Sequence, residues 1–353
     1  MARPPPELID MPVHISEKVL DKLTLYDRLR FRICSKPFKA VVDNAKQSYE
    51  KICIDGDGRG YTLTIVEKGV EHCIQYHSEG IDKCLVVVEK KELGPDNVYG
   101  PRQQIVTPIS TRELQGSTAV DVLMNDVKSL FRNVHRMTIN KLYLEIGQCS
   151  PSENYISKLG ALLENQNGPM LHVKELWMMG NIDFMDVICV LPSLLPGHLH
   201  RLHFNSISIW TFHFNRISRT PQWNNANAVE ITSNNHSLRF ERDLPHIKFV
   251  TLKYSIVDIE IIRAAIAKAE ELGNQFEMLR LRGSCRGMRR YIEDTFPCLC
   301  DNPRFRYKQH PNLNSFLRFT VGTGEYDFEI RRVQRINAFS FEVTDNDRRY
   351  LDM

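Results

Sequence analysis

A chain of 353 residues has room for about two domains, and 42% hydrophobic with 25% charged residues is a globular composition that excludes disordered and fibrous classes. A net charge of +3 is too small to point to nucleic acid, because proteins that bind it concentrate strong positive charge on one face. Nine cysteines, an odd count without paired spacing, fit reduced thiols and no disulfide framework.

The first ten residues hold Pro4-Pro5-Pro6 and two acids but no apolar core, so no signal peptide is expected. The longest apolar runs, such as Val187 to Leu191, are too short to span a bilayer, and an intracellular protein without a membrane partner is the expectation.

From Leu8 to Asn44 apolar residues recur at helical spacing: Ile15, Val19, Leu20 and Leu23, then Leu25, Leu29 and Ile33, then Phe38, Val41 and Val42. Pro12 opens the first of three short amphipathic helices, Thr24 with Tyr26-Asp27 separates it from the second, and Ser35 with Pro37 starts the third. So short a segment cannot build a secure core alone, which points to a partner. A metal or a disulfide is a poor substitute, since no metal spacing is present and Cys34 is the segment's only cysteine. The pattern Leu8, Met11-Pro12, Ile15, Val19-Leu20, Leu23, Leu29, Arg32, Cys34, Phe38, Val41 resembles the F-box, which docks a protein onto the Skp-type adaptor of a cullin-RING ubiquitin ligase. Two positions depart from that family's habit: Met11 stands where leucine is usual, and Phe38 where many members carry tryptophan. The resemblance implies an adaptor-binding set of Leu8, Pro12, Ile15, Val19, Leu20, Leu23, Leu29 and Phe38, with Arg30 and Lys39 at the rim. An ordinary helical cap on a globular domain is the alternative.

Residues 49–91 change to short β-like runs, Tyr49 to Ile54, Tyr61 to Val66, Glu71 to Tyr76 and Lys83 to Glu89, which predict a small antiparallel sheet. Asp55-Gly56-Asp57-Gly58 superficially matches a calcium loop, but the later acidic ligands of an EF-hand are missing and a hairpin turn is expected. Leu93 to Ile109, with Pro95, Gly100, Pro101 and Pro108, reads as a loop or linker.

Beyond it helices at Ala119 to Val134, Ser152 to Gln166, Asp183 to Leu195 and Asp258 to Leu272 alternate with short apolar strands. The strands centre on Leu142, Leu176, Leu202, Val229, Val250 and Leu279, with starts roughly 20 to 34 residues apart, in the range of solenoid repeats. Ser150-Pro151-Ser152-Glu153 forms a capping box, and Gly273 closes another helix. A doubly wound α/β domain would also alternate this way, but neither G-x-G-x-x-G nor G-x-x-x-x-G-K-[ST] is present to cradle phosphate. The runs Leu194 to Phe204, Thr220 to Ile231 and Leu244 to Ile266, above all Gln222-Trp223-x-x-Ala226, resemble the FTH domain of nematode F-box proteins. That resemblance implies a C-terminal region that presents a target protein to the ligase. Trp223 itself reads as a core anchor at a turn.

Phe316 to Val343 is rich in β-type residues, with Gly322-Thr323-Gly324 as a turn, and is expected to close the sheet by antiparallel pairing. The expected fold class is α+β: a three-helix F-box (8–48), a small antiparallel sheet and linker (49–110), and a degenerate leucine-rich-repeat-like α/β solenoid closed by C-terminal strands (111–343).

Chemical constellations are thin. His198, His200, His203 and His213 lack a nearby carboxylate or cysteine and read as polar strand histidines, so no metal and no cofactor is expected. Glu270-Glu271 are neighbours on a helix and do not share a face. No G-x-S-x-G elbow occurs, and Arg286, Arg289-Arg290, Arg331-Arg332 and Arg335 read as solvated faces. The expectation is a non-catalytic adaptor.

Overall fold

The computed structural model describes residues 12–34, 36–56, 60–79, 83–93, 104–147, 155–164, 170–180, 183–205, 216–232, 248–256, 259–284, 288–297, 305–309, 315–321, 327–335 and 341–343. The chain is mixed α/β and divides into two units, residues 1–174 with 193–195, and residues 175–192 with 196–353.

The first unit begins with three helices, α1 (Val13–Lys22), α2 (Leu25–Cys34) and α3 (Lys36–Asn44). Strands β1 (Gln47–Gly56), β2 (Gly60–Glu67), β3 (Val70–Ser78), β4 (Lys83–Leu93) and β5 (Gln104–Gln115) follow as an antiparallel meander. After α4 (Ala119–Leu130), β6 (Met137–Ile146) returns parallel to β1, giving the order β6-β1-β2-β3-β4-β5. Alternation decides the faces: Ile52, Ile54, Leu63, Ile65, Tyr76 and Val86 are buried on one side of the meander, where α4 packs on β2, β3 and β4. Between β2 and β3 the loop is Lys68-Gly69, both at positive φ (53° and 75°), the two-residue hairpin turn whose twist matches the strands.

β5 corrects the reading of 93–109 as a loop, because residues 104–109 belong to a strand that continues to Gln115. Its pairing with β4 shifts register between Val88 and Glu89, where Pro108 faces Glu89 across the ladder. A bulge there absorbs the missing N–H of the proline, and β5 ends the strand order of this unit.

The remaining helix of this unit, α5 (Tyr155–Glu164), drives Tyr155 into the sheet, where its hydroxyl is 2.8 Å from the Ile54 carbonyl and 3.2 Å from that of Glu145. The predicted capping box at 150–153 lies outside the described residues.

The second unit carries most of β7 (His172–Gly180), then α6 (Phe184–Val190), β8 (Arg201–Asn205), α7 (Pro221–Asn225), β9 (Ala228–Thr232), β10 (Phe249–Ile256), α8 (Ile259–Leu272), β11 (Met278–Ser284), α9 (Met288–Thr295), and β12 (Phe305–Gln309), β13 (Ser315–Val321), β14 (Asp327–Arg335) and β15 (Phe341–Val343). Strands β7 to β11 pair in parallel in chain order, without the reversal at which a doubly wound sheet changes direction. β14 then pairs antiparallel with β11, and β13 and β12 follow it, so the tail closes the parallel run as the strand-rich sequence predicted.

Helix boundaries in this unit follow local chemistry. Asp183 and Asp186 form a reciprocal capping box at 2.9 Å in each direction at the start of α6, and Gly273, at φ 53°, ends α8 in a conformation that costs other residues energy. Thr220 caps α7 through the Trp223 N–H, with Pro221 at the first helical position. Trp223 is fully buried, the core role that its flanking sequence suggested.

Candidate functional site

Two surfaces are built with enough order to carry a function, one in each unit.

In the first unit, Ile15 and Val19 lie four residues apart on α1 and share one face, each half-buried, and Leu23, also half-buried, is the extended residue that follows the end of the helix. Leu20 lies off that face and is 3% exposed, clustered with Val42 and Ala45, against which Leu23, Phe31 and Val41 pack. Pro12 is exposed at the start of α1, and Phe38 is half-buried, stacked on Phe31 with ring centroids 4.2 Å apart. Leu8 and the side chain of Leu29 lie outside the described residues. Arg30 and Lys39 are exposed.

Long-range contacts the sequence did not announce hold these helices. Arg28 of α2 and Glu67 of β2, side chains 6% and 5% exposed, form a buried ion pair. Lys68 donates to the Asp21 carbonyl in the last turn of α1, Arg136 donates to the Asn44 carbonyl at the end of α3, and Arg32 Nε is 2.5 Å from Asp43 Oδ1. α1 and α2 are therefore tied to the β2–β3 hairpin, and α3 to α2 and to the short turn that precedes β6, while Ile15 and Val19 stay partly open.

In the second unit the apolar strand residues Leu176, Met178, Leu202, Phe204, Val229 and Ile231 are buried, and the residues between them point the other way. Register aligns those intervening residues in a row: Trp177 with His203, His203 with Glu230, Glu230 with Thr251, Thr251 with Arg280, and Arg280 with Glu329. The row is internally bonded. His203 stacks on Trp177 at 4.1 Å, and its Nδ1 is 3.1 Å from Glu230 Oε2. Arg280 reaches Glu329 at 2.9 Å, and Arg331 Nε reaches the same carboxylate at 3.1 Å. The hydrogen bond from His203 holds the Glu230 carboxyl below the usual range, against the opposing effect of its burial.

Of the predicted histidines only His203 enters this row. His198 and His200 are exposed, and His213 lies outside the described residues. Among the described residues no group of three or more His, Cys, Asp or Glu is placed to hold a metal ion. Arg331 and Arg332 correct the solvated-face reading: Arg331 is 4% exposed, and Arg332 is 2.7 Å from Glu277. Arg289 and Arg290 do lie on an exposed helix, each paired with an acid four residues on. Sequence reasoning missed Glu230, Arg280 and Glu329, although a signal for the first two was present as the middle residue of Val-Glu-Ile and Leu-Arg-Leu.

Family models match at two places, an F-box domain over residues 8–47 and an FTH domain over residues 153–278. The chain carries an F-box followed by an FTH domain. The F-box match spans α1 to α3, and the FTH match spans β7 to β10 with the opening residue of β11, hence most of the polar row. An F-box suggests a substrate-adaptor role in a ligase of the SCF type. No curated protein and no solved structure matches the chain. No described helix is long and apolar enough to cross a membrane.

Proposed function

We propose that this chain is the substrate-recruiting subunit of an SCF-type cullin-RING ubiquitin ligase. The F-box (8–48) docks on a Skp-type adaptor and through it on a cullin, residues 49–110 form part of its platform, and the region 111–343 holds a target protein. The observation that carries the reading is the order of the two family matches, F-box then FTH, on a chain whose first helix keeps Ile15 and Val19 partly exposed on one face. Pro12, Leu23 and Phe38 join that face in docking, with Leu8 and Leu29 assigned to the same set by the family pattern. Leu20 acts differently: as a core residue it holds α1 in place and touches the adaptor little. In the FTH region the row from Trp177 to Arg280 supplies an aromatic ring, an imidazole, a carboxylate and a guanidinium at strand spacing, groups suited to a polar peptide surface. Such a subunit performs no chemistry itself. It works inside the cell by raising the local concentration of a target beside the conjugating machinery.

The full chain and its Ile15→Asp/Val19→Asp variant, both half-buried positions, are to be tested for retention of a purified Skp-type adaptor, with circular dichroism confirming that each is folded. Retention by the parent and loss in the variant supports the reading; equal retention sinks it. A second reading, a non-ligase repeat scaffold, is favoured by one observation: Leu20, Leu25 and Val42 are buried within this chain's own fold. It predicts no retention of the adaptor by either form.

A further inference from the structure

A cavity of about 490 Å³ lies in the first unit between α2, α3 and α4 on one side and the faces of β1 to β5 on the other. That volume falls in the range of small-molecule sites. Its deep wall is apolar, built from the buried side chains of Leu25, Val42, Leu63, Ile65 and Val86. Its rim is polar, since Ser110, Arg112 and Ser129 line it and are exposed.

Arg28, Arg32 and Asp126 along it have partners within the protein. Arg28 is held by Glu67, Arg32 by Asp43, and Asp126 accepts the Tyr76 hydroxyl at 2.8 Å while Arg112 exerts an attractive field on it. One deep polar atom is different. His72 is 3% exposed, lines the cavity from β3, and its Nδ1 has no hydrogen-bond partner among the described residues. Leaving such an atom unsatisfied costs about 1–3 kcal/mol in general, so its presence in an otherwise greasy wall points to something that completes it. Burial holds the imidazole below its ordinary pKa, with Lys90 and Arg28 adding to the effect and Glu67 and Asp27 opposing it, so the ring is neutral at pH 7. A neutral ring nitrogen either donates or accepts according to tautomer, and a hydroxyl can answer it in either role.

We propose that this cavity binds a small, neutral, largely apolar molecule carrying one hydroxyl, which pairs with His72 Nδ1 while its hydrocarbon body lies against Leu63, Ile65 and Val86. A carboxylate at the same depth would lose its hydration against the apolar side chains of Leu63, Ile65 and Val86. The site stands whether or not the chain serves a ligase, because it rests on the cavity and His72 alone.

The test is calorimetric titration of the full chain with 1-decanol and, separately, with decanoate. The expected result is one saturable site for 1-decanol, at least tenfold tighter than for decanoate. His72→Phe, which keeps the ring and removes the nitrogen, is expected to weaken 1-decanol about fivefold, the effect of one net hydrogen bond. Ile74→Trp, at a half-buried lining position beside His72, is expected to fill the space and abolish the site; Val88→Phe serves the same purpose should that variant fail to fold. Absence of a saturable site in the parent chain overturns the proposal, as does binding that survives filling of the cavity. Equal or tighter binding of decanoate overturns the neutral-ligand assignment, and unchanged affinity in His72→Phe overturns the role of the imidazole.

Discussion

The two units bury charge in different ways. In the first, Arg28 and Glu67 form one buried pair between a helix and a strand 39 residues apart. In the second, Glu230, Thr251, Arg280 and Glu329 succeed one another across neighbouring strands, and Arg331, two residues along from Glu329, shares its carboxylate with Arg280; Glu329 and Arg331 are buried, Glu230 and Arg280 part-exposed. An isolated buried pair fixes one helix on one strand, whereas the row spreads its polar groups over several neighbouring strands.

Substitutions sharpen that contrast, and the largest effects belong to the buried anchors. Trp223→Ala is expected to cost about 3–5 kcal/mol in chemical denaturation, because a fully buried indole leaves a cavity that the short helix α7 cannot close. Arg28→Met is expected to cost a similar amount, about 3–5 kcal/mol, by stranding the Glu67 carboxylate, and Arg28→Met/Glu67→Leu to recover most of it. Recovery in the double variant would show attachment without specific need for charge; its absence would show that the pair defines how α2 is seated.

Next in size, Leu20→Ala is expected to lower stability by about 2–5 kcal/mol through the cluster with Val42 and Ala45, whereas Ile15→Ala or Val19→Ala, at half-buried positions, is expected to lower it less. Smaller effects are expected from the row. Glu230 has a folded-state pKa below its unfolded value near 4.5, so the stability it contributes is fully present above that pH and is lost as pH falls through the lower folded value. Denaturation midpoints of Glu230→Gln against the parent chain between pH 6 and pH 3 should therefore converge toward the acid end, and parallel curves would break the assignment. At the bottom of the scale, Arg290→Ala should leave the midpoint unmoved, since its pair with Asp294 is 90% and 72% exposed.

Much of this was readable along the chain. Short-range periodicity placed α1 to α3 and the strands of the parallel run, because each strand shows an apolar-x-apolar core that burial on one face requires. The same pattern marked His203 as a polar strand residue, although it could not say which residues would stand beside it. β5 was not readable: its proline and polar residues argue against a strand, and only the open edge of β4 with a bulge at the register shift makes one of it.

From the amino-acid order alone came the docking pattern of the first helices, the alternation of helix and strand, and the closing strands of the tail, all of which rest on neighbours a few residues apart. Which apolar side chains of α1 remain partly open, the union of Arg28 with Glu67, the row from Trp177 to Glu329 and the cavity beside His72 were decided by the tertiary structure. They depend on groups brought together from tens of residues away, and no local pattern records which distant residue completes a buried charge or leaves a nitrogen unmet.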